Sequence, residues 1–282
     1  IMQAALERWE PDPGVTRENR MVPGWDGDPE VRVRIYRPAD QEGELPCLFW
    51  IHGGGHVLGQ VEQDDPAMDF YVGSIGCVAV SVDWRLPPEH PYPAPMDDCY
   101  AGLAWTYENA DELGIDANRI VVGGASSGGG SAAGLTLLAR DRGEIPVAAQ
   151  FLVYPMIDDR NVTPSSHLIT HHKVWNRTSN IIGWRSYLGD LHGTDDVPAY
   201  AAPTRAEDLS GLPPTWMATA DLDLFVDEDL DYARRLIDAG VPTELHVYPR
   251  AIHGFDVFAP DSAVSKRYVA ERNAGLARLF AL

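Results

Sequence analysis

Lysine is almost absent from this chain of 282 residues. Lys173 and Lys266 are its two lysines. The chain has 42 acidic and 22 basic residues, so its formal net charge is −20 at pH 7. A surface with this charge repels nucleic acids and anionic membranes, so we expect neither as a partner. The same charge favours solubility, and a protein with such a surface would also tolerate high salt.

Cysteine is also scarce, and its spacing argues against a covalent or metal framework. Cys47 and Cys77 fall in predicted strands and Cys99 falls in a predicted helix. An odd number of widely spaced cysteines predicts buried free thiols rather than a disulfide or a metal site. The neighbouring His171 and His172 suggest a metal site, but no further ligands stand at suitable spacing, so we expect no metal.

Long apolar runs, internal repeats and low-complexity segments are missing too. No stretch matches a secretory signal or a membrane span, which predicts a cytoplasmic location. The chain opens in mid-pattern with Ile1-Met2-Gln3, so a preceding segment is left open. A hydrophobic content of 45% is enough to fill one large core.

Strand and helix patterns alternate along most of the chain. Residues Val31–Tyr36 alternate as a half-buried strand does, whereas Cys47–His52 and Cys77–Asp83 are continuously apolar. Continuous apolar strands are typical of a parallel sheet that is covered on both faces. With a helix over Pro95–Leu113, the pattern predicts an α/β fold with a mostly parallel central sheet flanked by helices.

Two segments depart from this alternation. Residues 1 to about 25 carry no strand pattern, although Gln3–Glu10 could form an amphipathic helix. Residues from about Ile157 to Leu212 are rich in His, Trp, Asn and Asp, with Trp175, Trp184 and Tyr187 among them. This insert forms either a cap over an active site or a surface subdomain without substrate contact.

Two glycine-rich motifs follow predicted strands. The run Gly124-Ala125-Ser126-Ser127-Gly128 fits G-x-S-x-G, in which a sharp turn between strand and helix exposes a serine hydroxyl. Ser126 has glycine two positions away on both sides, which favours it over Ser127 as the nucleophile. The run His52-Gly53-Gly54-Gly55 can leave backbone N–H groups free to bind an oxyanion.

A base and an orienting acid would complete a nucleophilic serine site. Asp221 and Asp223 end the predicted strand that starts near Trp216, and His253 follows the predicted strand Thr243–Tyr248. In open α/β sheets, active sites form at the carboxyl ends of the strands. The chain order Ser, Asp, His is the order of α/β-hydrolases, with spacings of 97 and 30 residues.

Five motifs together resemble the hormone-sensitive lipase family of α/β-hydrolases. They are His52-Gly53-Gly54-Gly55, Asp83 to Glu89, the serine turn, Asp223 through Asp227-Glu228, and His253-Gly254-Phe255. The resemblance implies an α/β-hydrolase core over residues 31–156 and 213–282. It also implies a helical cap built from residues 1–30 and 157–212.

The resemblance also implies roles for individual residues. Ser126 is the nucleophile, His253 the base and Asp223 the orienting acid, while Asp227 begins the next helix. The backbone N–H groups of Gly54, Gly55 and Ser127 form the oxyanion hole, His52 has a structural part, and no cofactor is needed. Cis bonds are expected at Pro87-Pro88 and Tyr92-Pro93.

The chain also departs from the family pattern at several positions. Ala125 replaces an acidic residue, Ser127 replaces alanine, Leu224-Phe225 replaces Pro-Leu after the triad acid, and Pro87 replaces alanine. These changes remove neither a triad group nor an oxyanion N–H. Because position 125 lacks the acidic side chain of the family, we expect an effect on the pH optimum and on the rigidity of the serine loop.

The predicted function is hydrolysis of short- to medium-chain carboxylic esters through an acyl-enzyme, with a small-molecule ester as partner. An amidase or a lactone hydrolase could use the same residues. A non-catalytic small-ligand binder is the competing class, and the presence of His253 argues against it. A homodimer is left open.

Overall fold

An eight-stranded sheet forms the centre of the computed structural model, which describes residues 9–171 and 174–282. The strands are β1 Val15–Val22, β2 Val31–Pro38, β3 Leu45–Ile51, β4 Val78–Asp83, β5 Ile115–Ala125, β6 Ala149–Val153, β7 Thr215–Leu222 and β8 Thr243–Ile252. Their order across the sheet is β1-β2-β4-β3-β5-β6-β7-β8.

Most neighbouring strands of this sheet run parallel. From β4 through β3 to β8 every pairing is parallel, whereas β1 with β2 and β2 with β4 are antiparallel. The predicted mostly parallel sheet is therefore confirmed. Because the parallel strands point the same way, the ends of β5, β7 and β8 meet at one edge.

Helices cover both faces of the sheet. The helices are α1 Asp65–Phe70, α2 Ala94–Glu108, α3 Ala110–Leu113, α4 Ser127–Arg142, α5 Pro164–Leu168, α6 Arg177–Leu188, α7 Val226–Asp238, α8 Phe255–Phe258 and α9 Ala263–Phe280. Helices α2, α4 and α7 pack on one face, and α1 and α9 pack on the other. None of these described helices is both long and apolar enough to cross a bilayer.

Strand β3 shows why its sequence is continuously apolar. Cys47, Phe49 and Ile51 lie in the core on one face, and Leu48 and Trp50 lie in the core on the other. Successive side chains of a strand point to opposite faces, so a strand covered on both sides needs apolar residues at every position. The predicted buried free thiols are also confirmed, since Cys47, Cys77 and Cys99 are buried and unpaired.

The expectation that residues 1 to about 25 contain no strand is wrong. Residues Val15–Val22 form β1, whose residues pair antiparallel with all of β2. Only the two end residues of β1 are buried, because β1 is an edge strand, and its polar middle hides the alternation. The expected helix over Gln3–Glu10 falls mostly on residues 1–8, which lie outside the described residues.

Two expectations about the segment after β4 have different outcomes. The peptide bonds Pro87-Pro88 and Tyr92-Pro93 are both cis, as predicted. The single helix expected over Pro95–Leu113 is instead two helices, because Asn109 leaves the helical conformation between α2 and α3. The side chain of Asn109 donates to the Trp105 carbonyl oxygen at 2.8 Å, which closes the end of α2.

The insert between β6 and β7 contains its own apolar cluster. Helices α5 and α6 lie in this insert, and Trp184, Tyr187 and Leu188 of α6 are buried together with Leu224 and Phe225. Those last two residues follow β7, so the insert packs against the loop that carries Asp223. The cluster places the insert beside the carboxyl edge of the sheet.

Candidate active site

The serine turn connects β5 to α4 through one strained residue. Ser126 has φ 58° and ψ −123°, a conformation that costs a non-glycine residue about 1–3 kcal/mol. Its N–H donates to the Val153 carbonyl oxygen at 2.9 Å, and its own carbonyl oxygen accepts from Gly130 and Met156. Neighbouring backbone therefore holds the turn from both sides.

The two outer glycines of the motif are required by close approach of the backbone. A Cβ at Gly124 would overlap the backbone of Gly128, and a Cβ at Gly128 would overlap the Ile51 carbonyl oxygen. Strand β5, helix α4 and the end of β3 thus come closer than any side chain permits. The spacing of the motif follows from this packing.

Three side chains from separate strand ends form one hydrogen-bonded chain. His253 Nε2 lies 2.9 Å from Ser126 Oγ, and His253 Nδ1 lies 2.7 Å from Asp223 Oδ2. Since the carboxylate can only accept when ionised, Nδ1 carries a proton and Nε2 is free to accept the serine proton. This is the arrangement of an activated serine nucleophile.

The acid of this chain is buried and held in place. Asp223 is 1% exposed, and its Oδ1 accepts from the Phe225 N–H at 3.2 Å. The His253 ring makes edge contacts with the rings of Tyr154 and Phe225, at centroid distances of 4.8 and 5.1 Å. The imidazole is therefore fixed by its two hydrogen bonds and by these two ring contacts.

The neighbouring aspartates have other partners. Asp221 accepts from the Arg250 N–H at 2.6 Å, outside the chain of hydrogen bonds. Asp227 lies in the first turn of α7, as expected, but its side chain accepts from the Ser165 N–H at 2.7 Å rather than capping α7. Asp223 is thus the carboxylate at the imidazole.

The glycine loop after β3 lies directly against the serine turn. A Cβ built at Gly53 would stand 2.7 Å from the Ala125 carbonyl oxygen, while Gly54 and Gly55 have φ of 143° and 62°. The N–H groups of Gly54, Gly55 and Ser127 donate to no acceptor in the described part of the chain. Such free donors beside a nucleophile can bind an oxyanion.

A cavity of about 420 Å³ opens in front of Ser126. Its walls are largely apolar, and they comprise Gly53, Gly54, Gly55, Leu58, Gly59, Gln63, Asp64, Ala125, Ser126, Tyr154, Trp175, His253, Gly254, Val257 and Phe258. Ser127 is absent from these walls because its side chain is fully buried. The volume suits a small organic molecule.

A family model described as the alpha/beta hydrolase fold matches residues 48–257, which include Ser126, Asp223 and His253. The chain belongs to the hormone-sensitive lipase family of α/β-hydrolases. The resemblance seen in the five sequence motifs is therefore confirmed.

Several esterases are similar to this chain over most of their length. The carboxylesterase NlhH of Mycobacterium tuberculosis is 39% identical over 249 residues, covering 88% of this chain and 77% of that protein. The arylesterase of Saccharolobus solfataricus is 33% identical and covers 81% of this chain and 74% of its own. The solved structure of a bacterial heroin esterase is 44% identical with a TM-score of 0.96, covering 99% of this chain and 88% of that one.

The histidines at the start of the lipase-family glycine motif and directly after it are buried and uncharged. The His52 ring stacks on Trp84 at 4.9 Å, and its Nδ1–H donates to the Gly53 carbonyl oxygen at 2.9 Å. His56 stacks on Tyr187 of α6 at 4.0 Å, and burial lowers the pKa of His56 to about 3. His56 therefore acts as an aromatic side chain that connects the glycine loop to the insert.

Sequence reasoning missed some residues of this lipase-family site. Tyr154 and Phe225 contact His253, and Asp64 lines the cavity. Tyr154 and Asp64 belong to no motif, whereas Phe225 lies inside the motif from Asp223 to Glu228 without an expected role. The one available signal was the position of Tyr154 at the end of a strand. In the described residues no group of three or more His, Cys, Asp or Glu side chains could hold a metal ion, and His172 lies outside them.

Proposed function

We propose that this chain hydrolyses short- to medium-chain carboxylic esters through an acyl-enzyme formed on Ser126. The observation that carries the proposal is the continuous chain from Ser126 Oγ through the His253 ring to Asp223, with distances of 2.9 and 2.7 Å. Membership of the ester hydrolases follows from the family and from relatives named carboxylesterase and arylesterase.

The proposed mechanism uses groups of this chain alone. His253 Nε2 takes the proton of Ser126 as the oxygen attacks the ester carbonyl, and it then gives this proton to the leaving alcohol. Asp223 holds the imidazole tautomer and stabilises the imidazolium. Water next attacks the acyl-enzyme with His253 again as the base, which releases the acid and restores Ser126.

The oxyanion of each tetrahedral intermediate would be bound by the N–H groups of Gly54, Gly55 and Ser127. A donor of this kind is worth about 3 kcal/mol of transition-state stabilisation. The three N–H groups have no other acceptor among the described residues, which supports the role.

The insert of residues 157–212 serves, in this proposal, as a cap over the cavity. Trp175 lines the cavity, and a Cβ at Gly183 of α6 would stand 2.5 Å from the Gly55 carbonyl oxygen. These contacts favour a cap over a remote surface subdomain. The contribution of the N-terminal residues 1–30 to the cap stays a prediction. Strand β1, which belongs to this segment, lies at the opposite edge of the sheet from β8.

The decisive experiment compares Ser126→Ala with Ser127→Ala on soluble p-nitrophenyl esters. Ser126→Ala is expected to lower kcat by about 10⁴-fold or more while circular dichroism stays unchanged, because the nucleophile is gone. Ser127→Ala keeps its backbone N–H and should retain most of the activity. Full turnover by Ser126→Ala would reject the proposal.

Substrate range and the acyl-enzyme need separate measurements. A finite cavity stops adding apolar contacts once it is full, so acyl chains of about eight carbons or fewer should react best. A pre-steady-state burst of p-nitrophenol, one per active site, would report the acyl-enzyme. Faster turnover of amides or lactones than of matched esters would favour those alternatives instead.

A further inference from the structure

The cavity contains a carboxylate that the proposed mechanism does not use. Asp64 ends the 3₁₀ turn Val61–Asp64, directly before helix α1, and it lines the cavity together with Ser126 and His253. The hydrogen-bonded chain at the serine already has its acid in Asp223. Asp64 therefore contributes something other than orientation of the imidazole.

The Asp64 carboxylate is only half satisfied by the protein. Trp50 Nε1–H donates to Asp64 Oδ2 at 2.7 Å, and although Asp64 precedes α1, its side chain accepts no capping bond from that helix. The second oxygen accepts no hydrogen bond from any described residue, and it is not sealed from solvent. One carboxylate oxygen is therefore available to a molecule in the cavity.

No positive charge balances Asp64 within the cavity walls. Of the described lining residues none is arginine or lysine, and the titratable ones besides Asp64 are His253 and Tyr154. Burial, opposed by the Trp50 hydrogen bond and assisted by Asp65 and Asp256, raises the pKa of Asp64 to about 7. A cation placed beside it would favour the ionised form.

Asp65 and Asp256, the two acids near Asp64, already have hydrogen-bond partners of their own. Asp65 accepts two hydrogen bonds from Arg34, at 2.9 and 2.8 Å, and Asp256 accepts one from the Tyr154 hydroxyl at 3.1 Å. Of these three acids, Asp64 is the one that lines the cavity.

The remaining walls suit an organic cation. The rings of Tyr154, Trp175 and Phe258 line the cavity, and aromatic faces attract ammonium groups. The alkyl groups around a substituted ammonium also gain contact with Leu58 and Val257. One carboxylate among aromatic rings can recognise an ammonium group through both charge and shape.

We propose that Asp64 is a specificity residue that binds an ammonium group of the substrate, so that esters with a cationic amine react faster than neutral esters of the same shape. The inference rests on the proposed function, because it takes the cavity beside Ser126 as the substrate site. The net charge of −20 would further concentrate cations near the protein.

Two matched substrate pairs test this preference on the wild-type protein. For the alcohol side the pair is acetylcholine and 3,3-dimethylbutyl acetate, and for the acyl side it is phenyl 4-(trimethylammonio)butanoate and phenyl 5,5-dimethylhexanoate. In at least one pair kcat/KM should be about 10-fold higher for the cation, as charge-assisted and cation–π contacts together allow. Equal or lower values for the cation in both pairs would overturn the proposal.

Two variants assign the preference to Asp64. In Asp64→Asn the ratio of kcat/KM for the cationic and neutral esters should fall to about 1, since the amide still accepts from Trp50 but carries no charge. Asp261→Asn removes a charge from a fully exposed side chain outside the cavity, and there the ratio should be unchanged. A ratio that survives in Asp64→Asn would also overturn the proposal.

The pH dependence of the same ratio provides an independent readout. The ionised form of Asp64 gains population as pH rises through about 7, so the cationic preference of the wild type should increase from about pH 6 to about pH 8. A pH effect on the catalytic steps that the two esters of a pair share cancels in the ratio. A ratio independent of pH contradicts the assignment to Asp64.

Binding measurements separate this inference from the proposed function. Calorimetric titration of Ser126→Ala with choline and with 3,3-dimethylbutanol requires no turnover, and choline should bind about 10-fold more tightly. Equal affinities would overturn the inference while the ester hydrolysis of the wild type stands. Tighter choline binding that Asp64→Asn abolishes would support it even if Ser126 were not the nucleophile.

Discussion

At the scale of single residues, the candidate active site depends on backbone positions that tolerate no side chain. Gly55 has φ 62°, and a Cβ there would overlap the Trp175 ring. Gly76 has φ 80°, but a Cβ there would meet nothing within 4 Å. The two glycines share the conformational requirement and differ in the space around them.

We therefore predict different outcomes for alanine at these two glycines. Gly55→Ala should lower kcat/KM by about 100-fold, because the loop must move its N–H groups or displace Trp175. Gly76→Ala should lower Tm by a few degrees, since a Cβ is disfavoured at positive φ, and leave kcat/KM unchanged. Steady-state kinetics and thermal unfolding check both, and equal loss of activity would contradict the role of the Gly55 contact.

At the scale of elements, a side chain of α7 holds the insert in place. Asp227 Oδ2 accepts from the Ser165 N–H of α5 at 2.7 Å, and Ser165 Oγ donates to the Leu224 carbonyl oxygen at 2.8 Å. Both contacts join the insert to the segment that follows Asp223. Movement of α5 would therefore also affect the surroundings of Asp223.

Asp227→Ala is predicted to loosen this connection. Loss of a charge-assisted hydrogen bond to a backbone N–H should cost about 1.5–3 kcal/mol and speed amide exchange in α5. The matched control is Asp231→Ala one turn later in α7, where the carboxylate is exposed and pairs only with Arg234 among the described residues. Hydrogen exchange monitored by mass spectrometry measures the protection of α5 in each variant. Equal protection of α5 in Asp227→Ala and Asp231→Ala would contradict this role.

Individual elements also show which predictions a sequence supports. Strands β3 and β4 were readable because both of their faces are buried, which demands an apolar residue at every position. Strand β1 was not readable from the sequence, because its central residues Thr16–Arg20 are polar and only half-buried or exposed. Its pairing with β2 is a tertiary interaction that leaves almost no local pattern.

At the scale of the whole molecule, the large excess of acid is not confined to the surface. Glu228 is 2% exposed, and neither of its carboxylate oxygens has a hydrogen-bond partner among the described residues. Burial, with Asp158, Asp229 and Asp223 nearby, raises the pKa of Glu228 well above its ordinary value of 4.5. The folded protein therefore retains this proton to a higher pH than the unfolded chain, which releases it as pH rises through about 4.5.

This linkage predicts how stability changes with pH. Because the pKa of Glu228 is raised in the folded state, its contribution is fully present below about pH 4.5 and is lost as pH rises. Glu228→Gln does not titrate, so the Tm of this variant minus that of the wild type should increase from about pH 5 to about pH 8. Asp231→Asn, on the exposed side of the same helix, should show no such slope, and a flat difference for Glu228→Gln would refute the prediction.

The sequence alone determined the α/β fold, the serine turn and the identity of Ser126, Asp223 and His253 as candidate residues. These features depend on local rules, namely apolar runs in buried strands, glycines where backbones touch, and polar residues at strand ends. Their chain order then matched that of a known family.

Only the tertiary structure decided which groups meet around the cavity. The ring contacts of Tyr154 and Phe225 with His253, the stacking of His56 on Tyr187 and the free oxygen of Asp64 all join distant parts of the chain. Such contacts carry no periodicity and no fixed spacing, since they arise from how separate elements pack. For that reason the candidate nucleophile and its partners were readable from the chain, whereas the walls of the cavity were not.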